Sequence, residues 1–572
     1  MSIAHLLLKL SALFFVGCLC APVQAWVSVG SSPGFGTCTY NSLADALTDG
    51  EEEIRILDNQ VFEENINITS ARTLRGGFTS CLAASQNIQL GDLATIDGSA
   101  ISVLPTVSIL ANTSVVVTLD KLRIVGGSVG LATGATSGVV NLTDSLISGN
   151  SGSVNGAGIL VGNPSGILQV VIRESSIFGN TTTASGGGIF CNSPNGRIRL
   201  ESGAILENSA DVDGGGVFVG MGCQFSSFAG SRVEDGSVLR GILSNMAGRW
   251  GGGLYAENGG VIEINGHLGP SGLWGNTSRP AVVAENSAAS GGGIHATGFG
   301  SRVTLIDAVI RDNWANERGG GLRINDGAEL TAHISGTDCW NQRRCSHWRD
   351  NRVTDGVEHG GHLFLNNGTA QIDRTHLTGG RAELGTAIYA LGNNANLSLE
   401  GSFLTGNGVF LPPLLDDRYV VRLFNGASAS MVHVTIANNS SGTAAIGASG
   451  SGTSASISNS IVFNSGLPVS ENAATGLALF DCIVANDINF LGSGQIVSDV
   501  NFRNALNDDF RLTLESTAVD FCGDAGAVLL DEEGHARGLD EPTEADVDGP
   551  FDAGASEYLI VDGLFSDRFH SL

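Results

Sequence analysis

The chain has 572 residues, 81 of them glycine and only 12 proline; charged residues make up 15% and hydrophobic residues 42%. That excludes collagen, a proline-rich linker and a disordered acidic chain, and the length exceeds what one compact core supports. With 29 basic residues against 57 acidic ones and a net charge of −28, nucleic acid is not an expected partner, because its phosphates must be met by positive charge. Anionic polysaccharides are disfavoured as well, unless cations or a local basic patch intervene.

Residues 1–25 read as a secretory signal peptide. Lys9 precedes an apolar run from Leu10 to Leu19, and Val23-Gln24-Ala25 supplies a small-x-small cleavage site. The alternative is lipidation at Cys18 within Phe15-Val16-Gly17-Cys18, where Phe15 departs from the aliphatic residue of a bacterial lipobox. No later stretch is apolar for the 18 or so residues that a membrane-spanning helix needs. Eight cysteines follow the signal, an even number that suits disulfides in an oxidising compartment. Pairing sequence neighbours gives Cys38–Cys81, Cys191–Cys223, Cys339–Cys345 and Cys482–Cys522. No Cys-x-x-Cys remains in the mature chain to favour metal binding instead.

Residues 26–90 are expected to form an N-terminal cap and the first coils. Asn41-Ser42-Leu43-Ala44-Asp45-Ala46-Leu47 has a capping-box pattern, with Leu43, Ala46 and Leu47 on one helical face. Strands then start at Ile54-Arg55-Ile56-Leu57.

From about residue 91 to 500 one unit recurs: an Asn, then a glycine run, then an aliphatic residue. Its clean copies start at Asn150, Asn180, Asn208, Asn245, Asn286 and Asn313 and end at Ile159, Ile189, Val217, Leu254, Ile294 and Leu322. Degraded copies end at Leu363 and Ile388. Between glycine runs the residues alternate with period two, as in Arg302-Val303-Thr304-Leu305-Ile306, which marks short strands. The shortest full repeats, Ile189 to Val217 and Ile294 to Leu322, span 28 residues and hold about three strands. A four-stranded propeller blade does not fit that length. The expected fold is therefore all-β, a right-handed parallel β-helix (solenoid) with an N-terminal cap and a C-terminal capping region. Stacked Asn side chains would form an internal amide ladder, and room for roughly 15 coils gives a rod of roughly 70 Å.

Aligning the strands predicts inward columns from Ile189 to Ile388 and from Cys191 to Ala390. Between them Phe190, Phe218, Tyr255, His295, Arg323, Phe364 and Tyr389 point outward. That stripe is either a stacking surface for sugar rings or a partner, or an external packing stack covered by a turn.

The Asn…Gly-Gly-Gly-aliphatic units resemble the repeats of polymorphic outer-membrane proteins and related bacterial β-helix proteins. Cys38-Thr39-Tyr40-Asn41-Ser42-Leu43 with Thr73-Leu74-Arg75-Gly76-Gly77-Phe78 resembles the opening of secreted bacterial members. Asp509-Phe510-Arg511-Leu512 and Asp552-Ala553-Gly554-Ala555-Ser556-Glu557-Tyr558 are similar to the choice-of-anchor Q domain, placed here at residues 501–558. The resemblance implies a secreted or surface-displayed bacterial protein, outer-membrane-associated or free, and its motifs carry no catalytic residues. Autotransporter relatives end in a membrane barrel. This chain has only 14 residues after Tyr558, so residues 559–572 are expected to be a tail or a sorting signal.

Insertions on a solenoid are where function concentrates. The repeats from Leu254 to Ile294 and from Leu322 to Leu363 span 40 and 41 residues, with the extra length at one bend, after Val261–Asn265 and after residues 329–335. These loops carry the candidate binding residues Trp274, Arg279, Trp340, Arg343, Arg344, His347 and Trp348, because tryptophan and arginine combine contact area with directed polar contacts. Arg349 and Arg352 extend the basic cluster.

The rival class is a polysaccharide lyase or glycoside hydrolase on a pectate-lyase-like coil, for which Asp211 and Asp213 or the pair His359 and His362 are the only candidates. Acidic residues from Asp531 to Glu557 would form a solvated face or hold structural calcium, though their spacing fits no EF-hand. No cofactor is otherwise expected. The sequence reads as a non-enzymatic, monomeric rod with a structural or adhesive role, and carbohydrate or a surface protein as partner.

Overall fold

The computed structural model describes residues 26–31, 36–228, 240–266, 280–335, 346–354, 359–408, 418–440, 443–464, 468–472, 476–487, 490–524, 530–538 and 549–558. Strands dominate these residues and nearly all pair in parallel between successive coils, which defines a parallel β-helix. One coil shows the plan. Gly196–Glu201 forms a first face, Ala204–Leu206 a second, the two-residue strand Ser209–Ala210 a third, and Val217–Gly220 a fourth. First and second faces belong to one continuous sheet; the third face is a 7-stranded sheet and the fourth a 14-stranded one.

Alternation decides what goes inside. The columns Ile189–Val217–Leu254–Ile294–Leu322–Leu363–Ile388 and Cys191–Val219–Ala256–Ala296–Ile324–Leu365–Ala390 are in register. All are buried in one continuous core. No coil could bury that side alone, so stacking is what makes the core.

The recurrent asparagines form the expected ladder at the bend between the second and third faces. From Asn150 through Asn180, Asn208, Asn245, Asn286 and Asn313 to Asn351, each Nδ2 donates to the Oδ1 of the next at 2.9–3.0 Å. That Oδ1 also accepts the backbone N–H of the preceding asparagine. The cause is local. The residue before each ladder position turns the chain through a left-handed conformation, as Glu207 (φ 54°) and Asp312 (φ 54°) do. The next N–H points along the rod into the core, where a side-chain amide satisfies it.

The glycine run has two separate reasons. Gly251 adopts φ 64°, which reverses the chain after Trp250. Gly252 and Gly253 face the next coil, where an added Cβ would overlap the carbonyl oxygens of Ser287, Gly292 and Gly293. Thus one glycine makes the bend and two allow backbone to pack on backbone.

At the start, Trp26–Val29 is already a strand, paired with Glu53–Leu57 and so one coil earlier than the alternation suggested. Helix α1, Leu43–Thr48, buries Leu43 and Ala46 and has Ser42 as its N-cap. The reciprocal capping carboxylate is Glu64, which accepts from Ser42 Oγ, Leu43 N and Ala44 N, rather than a residue within the helix. The disulfides Cys38–Cys81, Cys191–Cys223 and Cys482–Cys522 are formed as expected; Cys339 and Cys345 lie outside the described residues, as do the signal segment and the tail. At the far end, Val500, Leu512, Val519 and Phe521 pack against Ile461 and Val484, and Phe510 and Ala555 against Phe403 and Ala437. This segment therefore covers the outer side of the second face.

Candidate functional site

The outward column of the fourth face is in register as expected, yet most of it is covered. Tyr255 is 0% exposed, His295 1%, Phe364 1%, and Phe218 and Tyr389 6%. The cover comes from the same coil and the one beside it. The residue five positions earlier, turned back by the glycine, lies against it: Trp250 stacks on Tyr255, and His359 meets Phe364 and Tyr389 edge-on. Phe190 and Phe218 stack at 4.6 Å, and Phe364 and Tyr389 at 5.7 Å. The stripe is an external packing layer, the second of the two readings given above.

The candidate catalytic pairs are separated by the same geometry. Asp213 is buried and held by Arg249, whose Nε donates to Oδ1 at 2.9 Å and whose Nη2 donates to Oδ2. Arg249 in turn stacks on Trp250 at 4.0 Å. Asp211 is exposed on the outside, so the two carboxylates face different environments. The histidines part likewise. His359 lies in the outer stack, whereas His362 is inside the rod and repairs the asparagine ladder. Position 380 is glycine where the period wants asparagine. His362 Nδ1 meets Asn351 Nδ2 at 3.1 Å and its Nε2 meets Asn407 Oδ1 at 3.1 Å. A Cβ at Gly380 would strike the imidazole at 2.7 Å. Burial pulls the His362 pKa down to about 3, partly opposed by the Asn407 hydrogen bond, so the ring is neutral. Both ring nitrogens are occupied, and neither is available to a metal. Among the described residues no group of three or more His, Cys, Asp or Glu is arranged to hold one.

Of the expected binding residues, Trp274, Arg279, Trp340, Arg343 and Arg344 lie outside the described residues. His347 and Trp348 belong to a second-face strand, His347–Arg349, and not to a loop. Trp348 is corrected to a core residue: it is in register between Ile310 and Leu377, and it is 0% exposed. The alternation that turns His347 and Arg349 outward turns Trp348 in. His347 faces His376 across the rung, and Arg349 pairs with Asp350 at 3.3 Å. The two long repeats do insert at one bend, between first and second faces and two rungs apart. A third joins them, between Gln224–Ser227 and Gly241–Leu243. Its signal was the 37-residue step from Val217 to Leu254.

The C-terminal acidic residues also need correction, since those described are largely not a solvated face. Asp531, Glu532, Asp552 and Glu557 are at most 5% exposed. Their carboxylates serve turns: Asp531 accepts from the backbone of His535 and Glu557, Asp552 from Asp520 N and Tyr558 N, and Glu557 pairs with buried Arg537 at 3.2 Å. Burial and Glu557 push the Asp552 carboxyl up to about 8.

One surface feature was missed. The outward column of the third face runs Met246, Ser287, Trp314, Arg352 and Arg381 in register. Trp314 is 41% exposed and the only described tryptophan of that class, and Arg352 lies over its ring at 5.6 Å.

No known protein-family model matches this chain, and no protein of curated function does. The molecule is therefore defined by its architecture: a disulfide-linked parallel β-helix with an aromatic outer layer. Among the described residues no helix is long and apolar enough to cross a membrane.

Proposed function

We propose that the protein is a secreted or surface-displayed rod with a structural or adhesive role, binding carbohydrate or a partner surface without cleaving it. The observation that supports this reading is the fate of the chemically capable pairs. Asp213 is committed to Arg249 and His362 to the ladder, which leaves neither pair assembled on one surface. Retaining or inverting hydrolysis needs two carboxyl groups facing one bond across a few ångströms. Three disulfides suit an oxidising compartment, and the repeat motifs resemble those of surface-displayed bacterial proteins.

The test applies the chain from Trp26 onward to immobilised neutral and acidic polysaccharides, with and without calcium, scoring retention and new reducing ends together. Retention without new ends is expected. Release of sugar ends would replace this reading with a lyase or hydrolase.

A further inference from the structure

The third-face column holds an unusual charge arrangement for a molecule of net charge −28. Arg352 and Arg381 are cross-rung neighbours, so two like charges sit on adjacent coils about 4.8 Å apart along the rod. Arg318 lies on the same strand as Trp314, over the ring of Phe364 at 5.4 Å. Among the described residues none of these three arginines has a carboxylate within ion-pair distance. Described acids nearby are engaged elsewhere: Asp350 with Arg349, Glu285 and Asp312 with Arg311, and Glu317 accepting from Ser290 Oγ. Among the other exposed arginines, Arg173 and Arg302 pair across rungs with Glu201 and Glu329, whereas Arg123 has no described carboxylate either. What sets this place apart is that two guanidinium groups without a described carboxylate partner, Arg352 and Arg381, are neighbours across one rung.

The rung before Trp314 presents only Ser287 to it, while Arg352 occupies the other side. On the far side the next rung is Gly408, and its lack of a side chain leaves room for the Arg381 guanidinium. An exposed indole with one guanidinium over its ring and a second on the following rung suits one ligand chemistry: a sugar ring to stack, carrying a carboxylate for a charge-assisted, bidentate hydrogen bond. We propose that Trp314, Arg352 and Arg381 form a binding surface for an anionic, uronate-type glycan. The inference rests on the adhesive reading above and names its ligand class. It also supplies the local basic patch without which so acidic a chain would repel a polyanion.

The experiment measures retention of the full chain on immobilised alginate, a polyuronate, and on the same alginate after carboxyl reduction. The wild type is expected to bind alginate at least tenfold more tightly than the reduced polymer. Arg352→Gln/Arg381→Gln should remove that preference, lowering alginate affinity at least tenfold while leaving the reduced polymer unchanged. Trp314→Ala should weaken both polymers by a similar factor. Because the substituted side chains lie on the outside, the melting temperature of each variant should match the wild type. Equal retention of the wild type on both polymers, or undiminished alginate binding by the double arginine variant, overturns the proposal. Retention on other polysaccharides but not on alginate overturns it too, while leaving the adhesive reading intact. Cleavage of any polymer counts against the adhesive reading itself.

Discussion

Two outer faces of the rod are covered in opposite ways. On the fourth face, from Phe190 to Tyr389, the outward residues are covered by their stacked neighbours and by residues just before the glycine turn, Trp250 and His359, each of which reaches its own coil and an adjacent one. On the second face, from Phe403 to Val484, the cover is a segment from residues 500–558, up to about 150 positions away in the chain. The first solution is local, repeats with the coil, and needs only a glycine in the left-handed region. The second is non-local, occurs once, and is tied by Cys482–Cys522. The comparison teaches that a solenoid interior sets its own period, whereas its exterior is finished by whatever chain is at hand.

Removing the distant cover should have the largest effect. Truncation after Val500 exposes Phe403, Ala437, Ile461 and Val484, a loss of roughly 5–10 kcal/mol at about 1.5–3 kcal/mol for each large apolar side chain. Limited proteolysis should then digest the coils beyond about residue 400 and spare those before it. Equal resistance throughout would show that the late coils do not depend on their cover.

A pH series sharpens the comparison, because the two regions should respond with opposite sign. His362, with a folded pKa of about 3 against an ordinary value near 6.5, is neutral in the folded chain. The unfolded chain takes up the proton first, so stability present above pH 6.5 or so is lost as pH falls toward 3, by on the order of 4–5 kcal/mol. Asp552 is the reverse case: its folded pKa is raised to about 8, so the stability this group contributes to the C-terminal cover is present in acid and is lost as pH rises from about 4 to 8. Hydrogen exchange read segment by segment should show the Asn351–Asn407 region opening in acid and the 500–558 region opening in base. Parallel behaviour of the two would contradict the assignment.

The smallest effect is expected for the local cover. Trp250→Ala removes the ring stacked against Tyr255 and His295 and should cost about 1–2 kcal/mol. The denaturation midpoint should fall without a change in the far coils.

The same contrast explains what could be read from the residues alone. The asparagine ladder, the inward columns and the shared bend of the long repeats follow from periodicity, because stacking converts sequence period into register, while the three described cysteine pairs follow from pairing neighbours in sequence. Trp348 was misplaced because the insertion ends before it. The basic residues around it look continuous in sequence, yet the strand has restarted at His347 and alternation places the indole inside. Burial of Asp531, Glu532, Asp552 and Glu557 was not legible, since it depends on where a non-repeating segment docks. Nor was the Trp314 column, whose members are spaced 27 to 41 residues apart and become neighbours only on coiling.

The ladder has a direction. Every Nδ2 donates toward the following coil, so the amide dipoles from Asn150 to Asn351 are aligned head to tail and each polarises the next. His362 continues that direction, accepting at Nδ1 and donating at Nε2, which selects the Nε2–H tautomer. Asn407 carries it on to Asn439 and Asn464. The rod thus contains a buried polar filament parallel to its axis, with one imidazole as a splice. Such a filament resists insertion of a coil turned end for end, because reversed amides would meet donor to donor.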